Sequence, residues 1–189
     1  MSDARPYIPV MPAPALISAE DLPRLSPPHK RTELVRGVMI VSEPTGFRHG
    51  VVAVRLVQLL ANYVSERGLG LVLGEAGFKL ESDPDTVRGP DVSFVSRDRV
   101  PDPLPKGYAA FAPDLAVEVL SPNDRPGEVL AKVADYLSAG SRLVWVVDPE
   151  RRHARIYRAD GGEALVGEDG ALDGEDVVPG FSCRLGPLL

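Results

Sequence analysis

The sequence predicts an α/β fold, and three stretches carry that prediction. Residues 113–149 read PDLAVEVLSPNDRPGEVLAKVADYLSAGSRLVWVVDP, a buried strand, a helix and a second buried strand, which is the pattern of a right-handed parallel crossover. Residues 47–68 repeat with a helical period. Residues 31–42, RTELVRGVMIVS, read as a hairpin with Arg36-Gly37 between two apolar runs.

The composition is that of a globular chain. At 189 residues, 44% apolar and 25% charged, the expectation is a Pro-rich extended arm over 1–17 (Pro6, Pro9, Pro12, Pro14) and one domain over 18–189. A net charge of −6 gives no global attraction to a phosphate backbone, so nucleic-acid binding must use a local basic patch or bound cations. Cys183 is the single cysteine, which excludes an internal disulfide and a thiolate zinc cluster and fits a reducing cytoplasm. No apolar run approaches the ~20 residues of a membrane span, and the N-terminus lacks a signal-peptide block. No internal repeat is present.

In chain order, Ser18 with Asp21 three residues later marks a short helix to Leu25, ended by Pro27 and Pro28. In the long helix Arg55, Gln58, Asn62 and Ser65 form a narrow polar stripe on an otherwise apolar cylinder, which predicts burial on most sides. Thr45 is its expected N-cap and Gly68 its stop. Leu71 to Leu80 reads as one strand broken by glycine, and Asp83 to Arg88 as a turn. The next strand opens at Asp91, with Asp91, Ser93 and Val95 on one face and Val92 and Phe94 on the other.

In the central strand Leu115, Val117 and Val119 share one face and Ala116, Glu118 and Leu120 the other. Glu118 is therefore a carboxylate in apolar company, which costs several kcal/mol unless a salt bridge or a metal ion meets it. In the following helix Asp124 is the expected cap and Pro126 lies in the first turn. Val129, Leu130, Val133, Tyr136 and Leu137 make its apolar face, with Glu128, Lys132 and Asp135 opposite. Lys132 is only ~40° around the helix from Tyr136, so its stem can lie along the apolar stripe and carry the ammonium inward. The plain alternative is a surface pair with Glu128, four residues earlier. Leu143 to Val147 is the second core strand, Arg155 to Arg158 a more exposed one, and small strands are expected near Val177-Val178 and Phe181.

If the strands carrying Asp91 and Glu118 pair, two carboxylates face each other and repel unless a cation sits between them. Oxygen ligands without imidazole or thiolate favour Mg²⁺ or Mn²⁺. Such an ion activates water and neutralises charge on a phosphoryl oxygen, with Lys132 placing the water or stabilising the transition state. Arg151, Arg152, Arg155 and Arg158 cluster after the second core strand and can contact DNA; they can equally be the protective charge of an edge strand. A double-strand cut needs two sites related by a two-fold axis, which makes a homodimer attractive.

The runs Arg88-Gly89-Pro90-Asp91-Val92, Pro113-Asp114-Leu115-Ala116-Val117-Glu118-Val119-Leu120-Ser121-Pro122 and Trp145-Val146-Val147-Asp148-Pro149 stand in a fixed order with Lys132, Tyr136 and Gly140. With Glu33-Leu34-Val35-Arg36-Gly37, His49 and Pro179-Gly180-Phe181, they resemble the bacterial Uma-type family of restriction endonucleases, in the PD-(D/E)XK nuclease superfamily. The resemblance covers about Ser18 to the end. It implies a restriction-endonuclease-like fold, a mixed sheet with helices on both faces, and a divalent-metal nuclease site. Asp91 maps to the first acid and Glu118 to the second, with the Val119 carbonyl a third metal ligand. The superfamily lysine lies two residues after the second acid, where this chain has Leu120; the resemblance moves it to Lys132. Glu33 and His49 are its supporting residues, and Asp114 belongs to the strand start or turn. The alternative is a non-catalytic module on the same fold.

Overall fold

The structure is a computed structural model that describes residues 15–189, so most of the expected N-terminal arm lies outside the described residues. Ile17 N–H donates to the Gly37 carbonyl at 2.8 Å, pinning the start of the described chain to the hairpin turn. Ser18 Oγ accepts from Asp21 N–H as the capping pattern predicts, but the helix proper, α1, is the shorter Leu22–Leu25.

The hairpin forms as read, with β1 (Arg31–Val35) antiparallel to β2 (Val38–Ser42). The helix α2 (Phe47–Arg67) ends on Gly68 in the left-handed conformation, but its N-cap is Gly46 rather than Thr45. It is also less buried than its narrow polar stripe suggests. His49, Val52, Leu56, Leu60 and Val64 are buried, while Val54 and Leu59 are exposed, because the helix lies on one face of a sheet and no element among the described residues covers its back.

Two readings between the helix and the central strand are corrected. The stretch from Leu71 makes two strands in different sheets, β3 (Gly70–Gly74) and β4 (Phe78–Glu81). The expected turn over Asp83 to Arg88 contains a fully buried strand, β5 (Thr86–Arg88), which hydrogen bonds β4 and β1. Short runs of three or four residues carry too little periodicity to be told from turns.

β6 (Val92–Ser96) and β7 (Leu115–Val119) are antiparallel, and β7 is parallel to β8 (Leu143–Asp148) through the crossover helix α3 (Pro126–Ser138). The N-cap of α3 is Arg125; Asp124 instead accepts the Ser121 N–H in the preceding turn. Leu130, placed on the apolar face by its spacing, is exposed. β9 (His153–Arg158), β10 (Glu163–Gly167), β11 (Ala171–Asp173) and β12 (Ser182–Arg184) follow, and Val177-Val178 is a buried turn rather than a strand.

The strands make a six-stranded sheet, β10-β9-β8-β7-β6-β3, a four-stranded sheet, β2-β1-β5-β4, and a two-stranded ribbon, β11-β12. The alternation predicted for β7 divides the core. Leu115, Val117 and Val119 pack with α2, Trp145 and Phe181 on one face, and Ala116 packs with Val133, Tyr136, Val144 and Val146 on the other. Glu118 thus points to the α3 side.

Gly70, at the start of β3, has φ 154°, and a Cβ there would lie 2.0 Å from the Val95 carbonyl oxygen. Gly70→Ala is expected to cost about 3 kcal/mol in denaturant unfolding because backbone, not a pliable side chain, must move. Gly50 in α2 has open space around its added Cβ, so Gly50→Ala is expected to stabilise by about 0.5–1 kcal/mol in the same assay.

Candidate active site

The register of β6 on β7 assembles the site. Val92 pairs with Val117 and Ser93 with Ala116, so Asp91, one residue before the strand, falls opposite Glu118. Asp91 is buried. Its Oδ2 accepts the Val119 N–H at 2.7 Å. Its Oδ1 lies 3.1 Å from both the Arg31 guanidinium and His49 Nε2. Burial works against ionisation here, but the His49 contact, the Val119 N–H and Arg31 together outweigh it and hold the carboxyl below its ordinary range. His49 reaches Asp91 from the first turn of α2, and its Nδ1 is 3.4 Å from Ser121 Oγ.

Glu118 is met from α3. Lys132 Nζ donates to Oε2 at 3.0 Å and Tyr136 Oη to Oε1 at 2.7 Å. The border position of Lys132 therefore turns it inward, and Tyr136, one turn on, contacts the same carboxylate. Burial raises the Glu118 carboxyl to about 7; Lys132 opposes that rise, while Asp91 and Glu33 reinforce it. Lys132 itself is held above its ordinary range: burial disfavours the ammonium, and Glu118 and Glu33 more than compensate.

Glu33, on β1, joins the cluster by three contacts. Its Oε2 accepts from Arg88 at 2.8 Å, and its Oε1 accepts the Gly89 N–H at 3.1 Å and lies 3.5 Å from Lys132 Nζ. Arg88 and Asp135 were missed as members. Asp135, read as solvent-facing, accepts from Arg88 Nε and Nη2 at 2.9 and 2.7 Å. Reading residues 83–88 as a turn hid Arg88; as a strand, the run leading into Gly89-Pro90-Asp91 would have aimed it at the site. Asp114 sits apart, paired with Arg99 at 2.7 Å and accepting the Ser96 N–H, as a residue of the strand start.

The donor set fits a hard divalent cation. With Glu118 ionised, Glu33, Asp91, Glu118 and Asp135 carry four negative charges against the three positive charges of Arg31, Arg88 and Lys132, before His49 and Glu75, which lies 3.9 Å from Arg31, are counted. The β6–β7 register places Pro90 opposite Val119, and proline has no N–H to give the Val119 carbonyl. Among the described residues no group of three His, Cys, Asp or Glu side chains is arranged to hold a metal. A cation here would rest on Asp91, Glu118 and a main-chain oxygen, completed by water or substrate.

The four arginines of the β8–β9 region divide. Arg151 pairs with Asp148 at 3.1 Å, Arg152 with Glu168, and Arg158 with Glu175 at 2.7 Å. Arg155 is exposed and has no ion pair among the described residues. It also shares a rung with the site, since Glu118 pairs with Val146 and Val146 with Arg155. β9 is an interior strand, covered on its far side by β10.

A mixed sheet with a helix on each face, carrying opposed acids on neighbouring strands and a lysine on its parallel-crossover helix, defines a protein of the restriction-endonuclease-like class. The chain belongs to the Uma2 family, described as "Putative restriction endonuclease", whose model matches residues 19–186. Its fold is similar to the crystal structure of a "putative nuclease" from Anabaena variabilis ATCC 29413. That likeness has a TM-score of 0.80 and 19% identity, and it covers 91% of this chain and 97% of the other. None of the curated proteins compared with the chain matches it. No helix among the described residues is long and apolar enough to cross a membrane.

Proposed function

We propose that this protein is a divalent-metal-dependent DNA endonuclease, with Mg²⁺ or Mn²⁺ as its ion, that hydrolyses phosphodiester bonds. The observation that carries the reading is the opposed pair Asp91 and Glu118, with Lys132 3.0 Å from the second acid and a carbonyl beside them that lacks a ladder donor. Asp91, Glu118 and the Val119 carbonyl would hold the ion. When bound, it supplies an activated water and neutralises charge on the scissile phosphate. Asp91 is kept ionised and oriented by His49, Arg31 and the Val119 N–H. Lys132 presents an ammonium to the water or to the phosphoryl oxygen as charge grows there. Glu33 shares Lys132 with Glu118 and keeps its charge near the reacting groups. Arg155 is the member of its cluster best suited to a DNA phosphate, being exposed and unpaired among the described residues. The proposal extends to a cytoplasmic protein with one domain over 18–189, acting as a homodimer so that two sites can address two strands.

One observation favours a second reading, a non-catalytic binding module on this fold. Each oxygen of Asp91 and Glu118 already meets a donor within the chain. Calorimetric titration of Mn²⁺ separates the two. Saturable binding by the wild type, lost in Asp91→Asn, is expected for the nuclease. The asparagine keeps an acceptor for the Val119 N–H but turns a donor toward Arg31, so a far-UV spectrum and Tm of the variant must accompany the titration for loss of binding to be read as loss of the metal site. Failure of the wild type to bind Mn²⁺, both alone and with DNA present, would leave the binding module.

A further inference from the structure

In the superfamily pattern the lysine shares a strand with the second acid, where the two-residue period of the backbone fixes it beside the metal. Here it comes from α3, so its position depends on how that helix is rotated and seated on the sheet. Apolar packing seats the helix by a short stripe, with Val133 and Tyr136 buried, Val129 and Leu137 partly buried beside them and Leu130 exposed, and such contacts have little directionality.

The buried guanidinium of Arg88 supplies the missing constraint. From β5, its Nε and Nη2 both hold Asp135 Oδ2, and its Nη1 holds Glu33 Oε2 at 2.8 Å. One rigid, planar group thus joins β1, β5 and α3. Asp135 and Tyr136 lie three and four residues after Lys132, on the same side of the helix, and Tyr136 reaches Glu118. Charge-assisted hydrogen bonds to a fixed fork are directional, so they define the rotation of α3 as apolar contacts do not.

We propose that the Arg88–Asp135 ion pair is a positioning device, clamping α3 to the four-stranded sheet so that the Lys132 ammonium is delivered to Glu118. Its consequence for catalysis rests on the nuclease reading above; the placement of Lys132 does not.

The test uses the full chain and needs no substrate. Wild type, Asp135→Ala and Asp135→Asn are treated briefly with an amine-reactive ester, and modification of Lys132 is read by mass spectrometry against exposed Lys106 in the same sample. Asp135→Ala is expected to raise the Lys132/Lys106 labelling ratio about tenfold, because the loosened helix frees the ammonium from its two carboxylates. Asp135→Asn retains an acceptor for Arg88 and should recover a good part of the protection. A fall in Tm with the labelling ratio unchanged in both variants would make the pair a merely structural bridge and overturn the proposal. Should Asp135→Ala not fold, Asp135→Ser, whose hydroxyl is too short to reach the Arg88 guanidinium, decides by the same ratio: a rise supports the clamp and a wild-type ratio overturns it. With a cleavable DNA in hand, Asp135→Ala should lower kcat with KM little changed. Loosened Lys132 in a protein that cuts no DNA would keep the clamp and sink the nuclease reading, so the two failures are distinguishable.

Discussion

Lys132→Met is expected to lower single-turnover DNA cleavage by about 10²–10³-fold while leaving the fold and DNA affinity close to wild type. The methionine fills the space of the lysine stem along the border of the apolar stripe, so packing is largely kept. What disappears is the ammonium 3.0 Å from Glu118 Oε2 and 3.5 Å from Glu33 Oε1. Two effects then act in the same direction. The charge that would stabilise the transition state is gone, and Glu118 loses the interaction that chiefly opposes its protonation. Its titration therefore moves upward from about 7, and the acidic limb of the pH–rate profile should move to higher pH with it. Lys132→Arg is not expected to restore the rate, because a planar fork presents its charge differently from a compact ammonium. Cleavage by Lys132→Met within a few fold of wild type would remove Lys132 from the mechanism.

Glu118→Gln is expected to stabilise the metal-free protein above pH 7 by up to about 3 kcal/mol and to remove most of its pH dependence between pH 4.5 and 7. The sign follows from proton binding. Glu118 titrates near 7 in the folded chain, against 4.5 for an ordinary glutamate, so the folded state holds the extra proton across that window. Stability must then fall as pH rises from 4.5 to 7 and level off beyond it. Glutamine cannot ionise and escapes the fall, less whatever is lost by leaving Lys132 with Glu33 as its remaining carboxylate. Asp91 acts oppositely and at lower pH, because its depressed folded value makes it stabilising above its ordinary 3.8 and costs stability as pH falls below that. Denaturant midpoints from pH 4.5 to 8 measure the Glu118 effect, and extending the series below pH 3.8 measures that of Asp91. A wild-type curve flat from pH 5 to 7, with the variant parallel to it, would mean that Glu118 is ionised throughout. Mn²⁺ should raise the Tm of the wild type at pH 8 far more than that of Glu118→Gln.

Much of this architecture was legible in the chain because burial writes itself into long patterns. β7 alternates two apolar faces, and α2 and α3 run for several turns, so their existence and type follow from periodicity alone. The family and the fold were legible too, since motifs such as Arg88-Gly89-Pro90-Asp91 and Trp145-Val146-Val147-Asp148-Pro149 are short but stand in a fixed order. Burial of α2 was overestimated because an apolar spacing says what a helix can cover, not how much of the chain is available to cover it. β5 was missed because three residues hold no period, and with it went Arg88.

The sequence by itself determined the long elements and the face of β7 on which Glu118 lies, which depend on local spacing and strand alternation, while the family resemblance supplied Asp91 and Glu118 as the acids and Lys132 as the lysine. Only the tertiary structure decided which charges meet. Glu33, Arg88 and Asp135 come from β1, β5 and α3, and their partnership exists only once the four-stranded sheet is set against the crossover helix. The same holds for the arginines after β8. Their clustering is local, but the carboxylates that occupy Arg152 and Arg158 lie 16 and 17 residues away, and Arg155 is left facing outward on a rung shared with Glu118. Ion pairs are set by distance in space, to which the order of residues along a strand or helix is blind.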